Sequence, residues 1–347
     1  MARNVKNSRR PDPRPAAAGS GPRRLGAQNK RPQLSPSAQR RYQRRHNSQS
    51  RRIGWFSVGA VVLVIVALLV IKLTSGSSPP ASGSSAVSSG DKPALAAAAL
   101  VTPVTTVPVS TYNSVGIADQ PVPFTVTKGQ PPLTSGGKPQ FLYYGAEFCP
   151  YCASMRWSIV AALSRFGTFT GLKQISSSST DSPSSVPTFS FLGATYSSPY
   201  VSFTPYEYLD INRNPLQSVP ASVNSLYARY DGSASGAAAT PFNPGGSAGI
   251  PFLDIGNKYV SSGDPAVLAN ISTVLSGGGP GAIQVANALH DPTSAVGQAI
   301  GAKYFVSEAN YISAAICGAN GNKPASVCNS TGVKAAMKAL AKSKPVS

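Results

Sequence analysis

Histidine is nearly absent from this chain: two in 347 residues, His46 and His290. Cysteine is scarce too, with Cys149, Cys152, Cys317 and Cys328 making up the whole complement. These shortages exclude several chemistries. A tetrahedral zinc site needs four Cys, His or carboxylate ligands at suitable spacings, and Cys149 and Cys152 stand far along the chain from the second pair. A Cys/His hydrolase needs a histidine beside its thiol. His46 sits in an arginine-rich stretch, and His290, in Leu289-His290-Asp291-Pro292, reads as a helix end. Acidic residues are also few, 12 against 31 Lys and Arg, for a net charge of +19. The imbalance is concentrated in residues 1–52, which hold fifteen basic side chains and one acidic one, Asp12, and supply +14 of that charge. Such a segment, rich in proline and poor in large apolar side chains, cannot bury a core and reads as a disordered tail. No folded nucleic-acid module accompanies it. The clusters Arg40-Arg41, Arg44-Arg45 and Arg51-Arg52 are therefore read as orienting the chain and attracting anionic lipid headgroups, with nucleic acid set aside.

Charge then vanishes. From Ile53 to Ile71 there are nineteen residues without a charged side chain, closed by Lys72. At 1.5 Å per residue that is roughly 28 Å of helix, the thickness of a bilayer core. Residues 53–72 are read as a single-pass anchor, with the basic tail cytoplasmic by the positive-inside rule and the rest extracytoplasmic. A cleaved signal peptide would have a shorter apolar core and a small-residue site directly behind it. Here the first alanine-rich candidate, Ala94 to Ala99, lies some twenty residues downstream. Residues 73–119, rich in Ser, Gly, Pro, Ala and Thr, read as a flexible stalk reaching about 35–40 Å. Residues 120–347 are left for one globular domain.

What that domain does contain is Cys149-Pro150-Tyr151-Cys152, directly after the apolar run Phe141-Leu142-Tyr143-Tyr144 and the turn Gly145-Ala146-Glu147-Phe148. Two cysteines separated by two residues at a strand-to-helix junction suit reversible dithiol/disulfide chemistry. With Cys149 at the N-cap and Pro150 at the first helical position, the Cys149 sulfur meets unpaired N–H groups and the positive end of the helix dipole. That favours the thiolate and makes Cys149 the nucleophile. Cys152, one turn in and on the face continued by Met155, Ile159, Leu163 and Phe166, is expected to be buried and to act as the resolving thiol. No metal or organic cofactor is required. The Pro-Tyr dipeptide brings no cation beyond the helix terminus, so a middling reduction potential is expected.

Phe141 to Phe166 resembles the strand, active-site turn and first helix of thioredoxin-like proteins. Ala146-Glu147-Phe148-Cys149 is similar to the A-E-W-C of thioredoxins, and the Pro-Tyr dipeptide is the one common in glutaredoxins. That superfamily carries a cis-proline facing the dithiol, followed by a β-hairpin. Gly249-Ile250-Pro251-Phe252, leading through Gly256-Asn257 to Tyr259-Val260, is similar to that segment, so Ile250 and Pro251 are the candidate substrate-binding residues. Val186-Pro187-Thr188-Phe189 resembles the thioredoxin V-P-T-F, leaving Pro187 as the rival cis position. The basic tail, single span, G-A-E-F-C-P-Y-C, Gly193-Ala194-Thr195-Tyr196 and distal cysteine pair together resemble the actinobacterial and archaeal family of domain of unknown function 929. The implied fold is α/β and thioredoxin-like, with a helical or loop insertion between dithiol and cis-proline. One departure bears on mechanism. Thioredoxins place a buried aspartate six residues before the first cysteine, where this chain has Tyr143. Glu147 and Tyr143 become the candidates for proton transfer, although Glu147 also reads as a solvent-facing side chain.

A coarse pass places strands at Val122–Thr127, Phe141–Tyr144, Leu172–Ser176, Thr188–Leu192 and Tyr200–Tyr206, and the hairpin at Phe252–Val260. Helices are placed at Pro150–Phe166, Val219–Tyr230, Asp264–Leu275, Ala282–Leu289, Ala295–Cys317 with a break near Gly301, and Val333–Ala341. Gly232 to Gly249 reads as a loop bordering Pro251. Cys317 and Cys328 flank a short Gly-Asn-Pro loop and are read as a structural disulfide contributing about 2–3 kcal/mol in an oxidising compartment. A second redox relay is the alternative for that pair. Two functions follow. One is a membrane-anchored extracytoplasmic thiol:disulfide oxidoreductase acting on cysteines of exported proteins and recycled by an unidentified membrane redox partner. The other is a non-catalytic cell-envelope binding or scaffold protein whose dithiol is a permanent staple.

Overall fold

The computed structural model describes residues 93–232, 240–243, 249–263 and 281–347. The basic tail, the uncharged run from Ile53 to Ile71, the first half of the expected stalk and the helix expected at Asp264–Leu275 lie outside the described residues. So does most of the expected loop between Gly232 and Gly249. Among the described residues no helix is long and apolar enough to cross a membrane.

The described elements form a mixed α/β architecture around one strand. β3 (Lys138–Gly145) alternates its side chains as a buried strand must, with Phe141 and Tyr143 entering the main core and Leu142 and Tyr144 the opposite face. On one side it runs parallel to β8 (Ser202–Glu207), with Phe141 opposite Phe203 and Gly145 opposite Glu207. It is also antiparallel to β9 (Phe252–Ile255), with Tyr143 opposite Leu253. β9 turns through Gly256 and Asn257, at φ 70° and 54°, into β10 (Tyr259–Ser262). Two successive positive φ angles are what a tight two-residue hairpin demands. β10 pairs with β1 (Thr125–Val126), and β2 (Thr134–Ser135) pairs with the first residues of β3. Outside this sheet, β4 (Thr168–Thr170) pairs with β7 (Thr195–Ser197), and β5 (Lys173–Ser176) with β6 (Pro187–Ser190).

Helices cover both faces. On the larger face α3 (Pro150–Leu163) packs against α7 (Ala302–Asn320), and every α3 residue except Tyr151 is buried. Its backbone carbonyls and Trp157 are tied to neighbouring elements. Thr188 donates to the Ala153 carbonyl at 2.6 Å, Tyr112 to that of Ala161 at 3.0 Å, and the Trp157 indole N–H donates to the Pro187 carbonyl at 3.0 Å. On the smaller face α4 (Ala221–Asp231) lays Tyr227 and Tyr230 over Leu142, Phe252 and Val260. Asp254, buried beneath this layer, accepts from the Asn257 N–H at 2.8 Å and so closes the hairpin turn. Burial pushes its carboxyl up to about 7. The folded state therefore favours the protonated acid, and this group's contribution to stability falls as pH rises from about 4 toward 7.

Residues 93–119 differ from the expected stalk. Ala98–Thr105 forms α1 and Val109–Val115 forms α2. Leu100, Val104 and Tyr112 are buried in the main core, Arg165 stacks 4.1 Å above the Tyr112 ring, and Asn310 donates to the Tyr112 and Gly116 carbonyls at 2.8 Å. Small and β-branched residues with interspersed prolines have the composition of a linker. A single apolar stripe one turn apart, Leu100 and Val104, is enough to dock the segment here. His290 ends up beside it, its Nε2 2.6 Å from the Pro103 carbonyl, just beyond α5 (Ala282–Ala288). The expected break near Gly301 separates α6 (Ala295–Ala299) from α7. Cys317, in the last turns of α7, is disulfide-bonded to Cys328 at the end of α8 (Ala325–Cys328), and α9 (Thr331–Leu340) closes the chain.

The docking of α1 has a direct test. Leu100→Ala is expected to lower the unfolding free energy by about 2–5 kcal/mol, as for other fully buried leucines. A stalk residue would change it by less than about 0.5 kcal/mol. Urea denaturation of the two proteins followed by tryptophan fluorescence measures the difference.

Candidate active site

The strand-to-helix junction after β3 sets the site. Gly145 ends the strand, and a Cβ there would collide with the Tyr143 hydroxyl and come within 3.0 Å of the Cys152 sulfur. Glycine is thus required where ring and thiol crowd the backbone. Cys149 is the N-cap of α3, with φ −75° and ψ 122°, and Pro150 takes the first helical position. The Cys149 sulfur accepts from the Cys152 backbone N–H at 3.3 Å. A sulfur thus does what a serine or aspartate oxygen does at other helix starts. Both cysteines are free thiols and both are buried, Cys152 completely.

The two sulfurs differ in acidity, and the causes can be named. Cys149 is held below the ordinary thiol range by the Cys152 thiol donating to it. The backbone N–H groups of Cys152 and Tyr151 and the Arg156 charge help, while burial opposes them. Cys152 is pushed well above that range by burial first, then by the hydrogen bond to Cys149 and its charge. A pair of interacting thiols whose environments separate them this way has one ready nucleophile and one reserve thiol.

Across from the dithiol lies the segment before β9. The Ile250–Pro251 peptide bond is cis, as are Ser182–Pro183 and Lys323–Pro324, while Pro187 is not among the cis positions and begins β6. The Ile250 carbonyl oxygen is 3.7 Å from the Cys149 sulfur. Sequence positions 149 and 250 therefore meet, and Pro251 is the proline beside the dithiol. Asp231, at the end of α4, holds this segment by accepting from the Gly249 N–H and from the Asn243 side chain, each at 2.7 Å. The Tyr227 hydroxyl donates to the Gly249 carbonyl at 3.3 Å. Tyr144 stacks between Tyr208 and Tyr227, with ring centroids 4.9 and 4.7 Å away, to form an aromatic wall on this side. On the other side Phe148 lies under the Arg213 guanidinium at 4.0 Å, and Arg213 pairs with Asp181 at 2.6 Å. Tyr151, between the two cysteines in the chain, is exposed.

Two expectations about the site change. Glu147 does not face solvent: it is 3% exposed and accepts from the Ser190 hydroxyl on β6. Burial raises its pKa above the usual carboxylate range, with Glu207 adding to the rise and Ser190 and Arg156 opposing it. The helix terminus is also not the only positive charge near the sulfurs. Arg156, one turn beyond Cys152, is completely buried and grips Glu207 of β8 through two hydrogen bonds of 2.9 and 2.7 Å. It also donates to the Ala146 carbonyl at 2.8 Å. The chain offered one signal for this, an arginine four residues after Cys152 within an otherwise uncharged helix. Its acid partner lies 51 residues away and could not be paired with it by spacing. Tyr143 is buried against this group, its ring 5.8 Å from the guanidinium carbon and its hydroxyl without a hydrogen-bond partner. Burial raises the Tyr143 phenol well above its ordinary value, so it stays protonated.

One protein-family model, that of a domain of unknown function (DUF929), matches residues 125–318, more than half of the chain. No curated protein and no solved structure matches it. The matched span contains the dithiol, the cis-proline segment, Arg156 and Glu207.

The acidity difference predicts an asymmetric pH profile. Iodoacetamide should modify Cys149 first, as mapped by mass spectrometry. Its rate should climb through a midpoint below the ordinary thiol value of about 8.5 and then level off. Equal modification of Cys149 and Cys152, or a midpoint above that value, would overturn the assignment.

Proposed function

We propose that this chain, which belongs to the DUF929 family, is a membrane-anchored extracytoplasmic thiol:disulfide oxidoreductase with a thioredoxin-like domain. The observation that carries the reading is the approach of the cis-proline segment to the nucleophilic sulfur, the Ile250 carbonyl 3.7 Å from Cys149. The fold supports it through a strand, the dithiol helix and a parallel strand (β3, α3, β8), followed by the antiparallel hairpin β9–β10 beside β3. The basic tail, the uncharged run and the Cys317–Cys328 disulfide favour an anchored domain in an oxidising compartment.

The chemistry is a reversible exchange with a dithiol of an exported protein. A substrate thiolate attacks the Cys149 sulfur of the oxidised pair, a mixed disulfide forms, and Cys152 leaves as a thiolate. Cys152 then takes a proton, with the buried Glu147 as the nearby acid and the Tyr143 hydroxyl beside the sulfur. The substrate's second thiolate attacks its own sulfur in the mixed disulfide, Cys149 leaves as a thiolate, and two electrons have passed from substrate to enzyme. In the reverse direction Cys149 attacks and Cys152 resolves. Ile250 and Pro251 would hold the partner's extended backbone, and a membrane redox partner would reset the pair. The chemistry needs no metal or organic cofactor.

Equilibration of the full-length protein with glutathione buffers, trapped with acid and read by mass spectrometry, tests this. A potential between about −270 and −120 mV supports exchange, whereas one below about −300 mV makes the dithiol a staple and favours an envelope scaffold. Cys149→Ser should abolish exchange, and Cys152→Ser should accumulate a mixed disulfide on Cys149. Glu147→Gln should slow release of glutathione from Cys149 by about tenfold or more, as expected when a positioned acid or base is lost.

A further inference from the structure

Arg156 is a costly residue to place where it is. Its side chain is completely buried, its partner Glu207 is equally buried, and a pair taken out of water in this way contributes little to stability compared with apolar residues of the same size. The guanidinium is also incompletely matched. Nε and Nη2 hold both Glu207 oxygens and the Ala146 carbonyl, while Nη1 has no hydrogen-bond partner. An unspent donor on a buried cation calls for an explanation beyond packing. Its surroundings supply one. Arg156 lies one turn beyond Cys152 on the same helix, and its Nη2 is bonded to the turn that carries Gly145-Ala146, against which the Cys152 sulfur is packed. The groups facing it are Tyr143 from β3, Glu147 from the turn, Glu207 from β8 and the two thiols of the α3 N-terminus. Of these, it is the Cys149 sulfur that ends with a new negative charge when the dithiol is reduced.

We infer that the Arg156–Glu207 pair sets the reduction potential of the dithiol: Arg156 is the internal counter-ion of the sulfur that becomes negative on reduction, and Glu207 fixes its position and tempers its charge. Arg156 and Glu207 are thus positioning residues for the exchange chemistry, and the inference rests on the oxidoreductase reading above. Reduction of the Cys149–Cys152 bond adds two electrons, supplied by a substrate dithiol or by glutathione, and leaves a thiolate on Cys149 and a thiol on Cys152. A cation near the thiolate stabilises the reduced side of that balance. Neutralising the cation's partner strengthens this effect, and removing the cation reverses it. This ordering distinguishes a charge effect from a packing effect, because a structural role gives no reason for the two changes to act in opposite directions.

The experiment uses the full-length protein in detergent. Thiolate absorbance near 240 nm is followed against pH, and the potential is read against glutathione, for the wild type, Glu207→Gln and Glu207→Gln/Arg156→Met. Glu207→Gln is expected to lower the Cys149 midpoint and to raise the equilibrium constant for reduction by about tenfold, which is about 30 mV. Adding Arg156→Met should return both past the wild-type values. Unchanged midpoint and potential in folded Glu207→Gln would overturn the inference while leaving the exchange chemistry standing. Absence of any exchange in the wild type would instead remove the oxidoreductase reading itself. Should the variants fail to fold, the wild type carries the test. The side-chain ¹⁵N resonances of Arg156 should shift between the oxidised and reduced protein and titrate with the Cys149 midpoint, and resonances indifferent to both would overturn it.

Discussion

The N-terminus of α3 is buried, and that constraint organises the rest of the site. A helix start carries N–H groups with no partner inside the helix, and in water they would be solvated. Here the helix is packed between α7 and β6, with every residue but Tyr151 buried, so the donors must be met by the chain itself. Cys149 meets them with its sulfur, accepting from the Cys152 N–H, and that duty is better performed by a thiolate than by a thiol. The same burial deprives Cys152 of solvent and of a comparable set of donors, so it keeps its proton. The asymmetry between the two thiols is thus a consequence of where α7 and β6 bury one helix end, and it needs no specialised residue in the Pro-Tyr dipeptide.

The same burial explains why charge collects behind the dithiol. Once water is excluded, a developing thiolate can be compensated only by groups already in place. Arg156 is positive at every accessible pH, and its fork is matched by Glu207, which β8 delivers at its last residue, opposite Gly145 of the parallel strand β3. Glu147 is the second acid in this space. Burial raises its carboxyl above the usual range, and the Glu207 charge adds to that rise while the Ser190 hydroxyl and Arg156 oppose it. The arrangement therefore separates a fixed ion pair from an adjustable acid. The former is suited to biasing the electron balance, the latter to receiving or returning a proton.

Much of this was legible in the chain, for reasons that can be stated residue by residue. The strand, cap and helix from Phe141 to Leu163 follow from local rules: an apolar run, a turn, a cysteine before proline, and an apolar helix. The hairpin at Gly256-Asn257 follows from the need for two positive φ angles. Pro251, rather than Pro187, faces the dithiol because the turn and second strand follow it directly, and Pro187 instead pairs β6 with β5. Three features were hidden. The α1–α2 segment has the small, proline-containing composition of a linker, and only the core it docks against makes Leu100 and Val104 informative. The burial of Glu147 depends on Ser190, 43 residues away. The pairing of Arg156 with Glu207 depends on the parallel register of β3 and β8, which no local pattern reports. Local chemistry was readable; compensation between distant charges was not.

The two sides of the site are also anchored differently. The dithiol sits on a helix tied to its surroundings through Ala153, Trp157 and Ala161, which leaves its position little freedom. The opposing Gly249-Ile250-Pro251 segment is a loop: Asp231 holds the Gly249 N–H and the Asn243 amide, the Tyr227 hydroxyl donates to the Gly249 carbonyl, and the Gly263 N–H donates to the Pro251 carbonyl at 2.9 Å. Tyr227 is itself part of the stack with Tyr144 and Tyr208, so the aromatic wall and the cis-proline segment share one support. Under the proposed exchange chemistry, a nucleophile fixed on a buried helix and facing a loop segment would let different partners be accommodated on one side while the sulfur geometry on the other is preserved. Exchange with varied protein cysteines, were it this chain's activity, would call for that division, because the S–S chemistry is the same for every partner and only the flanking chain differs.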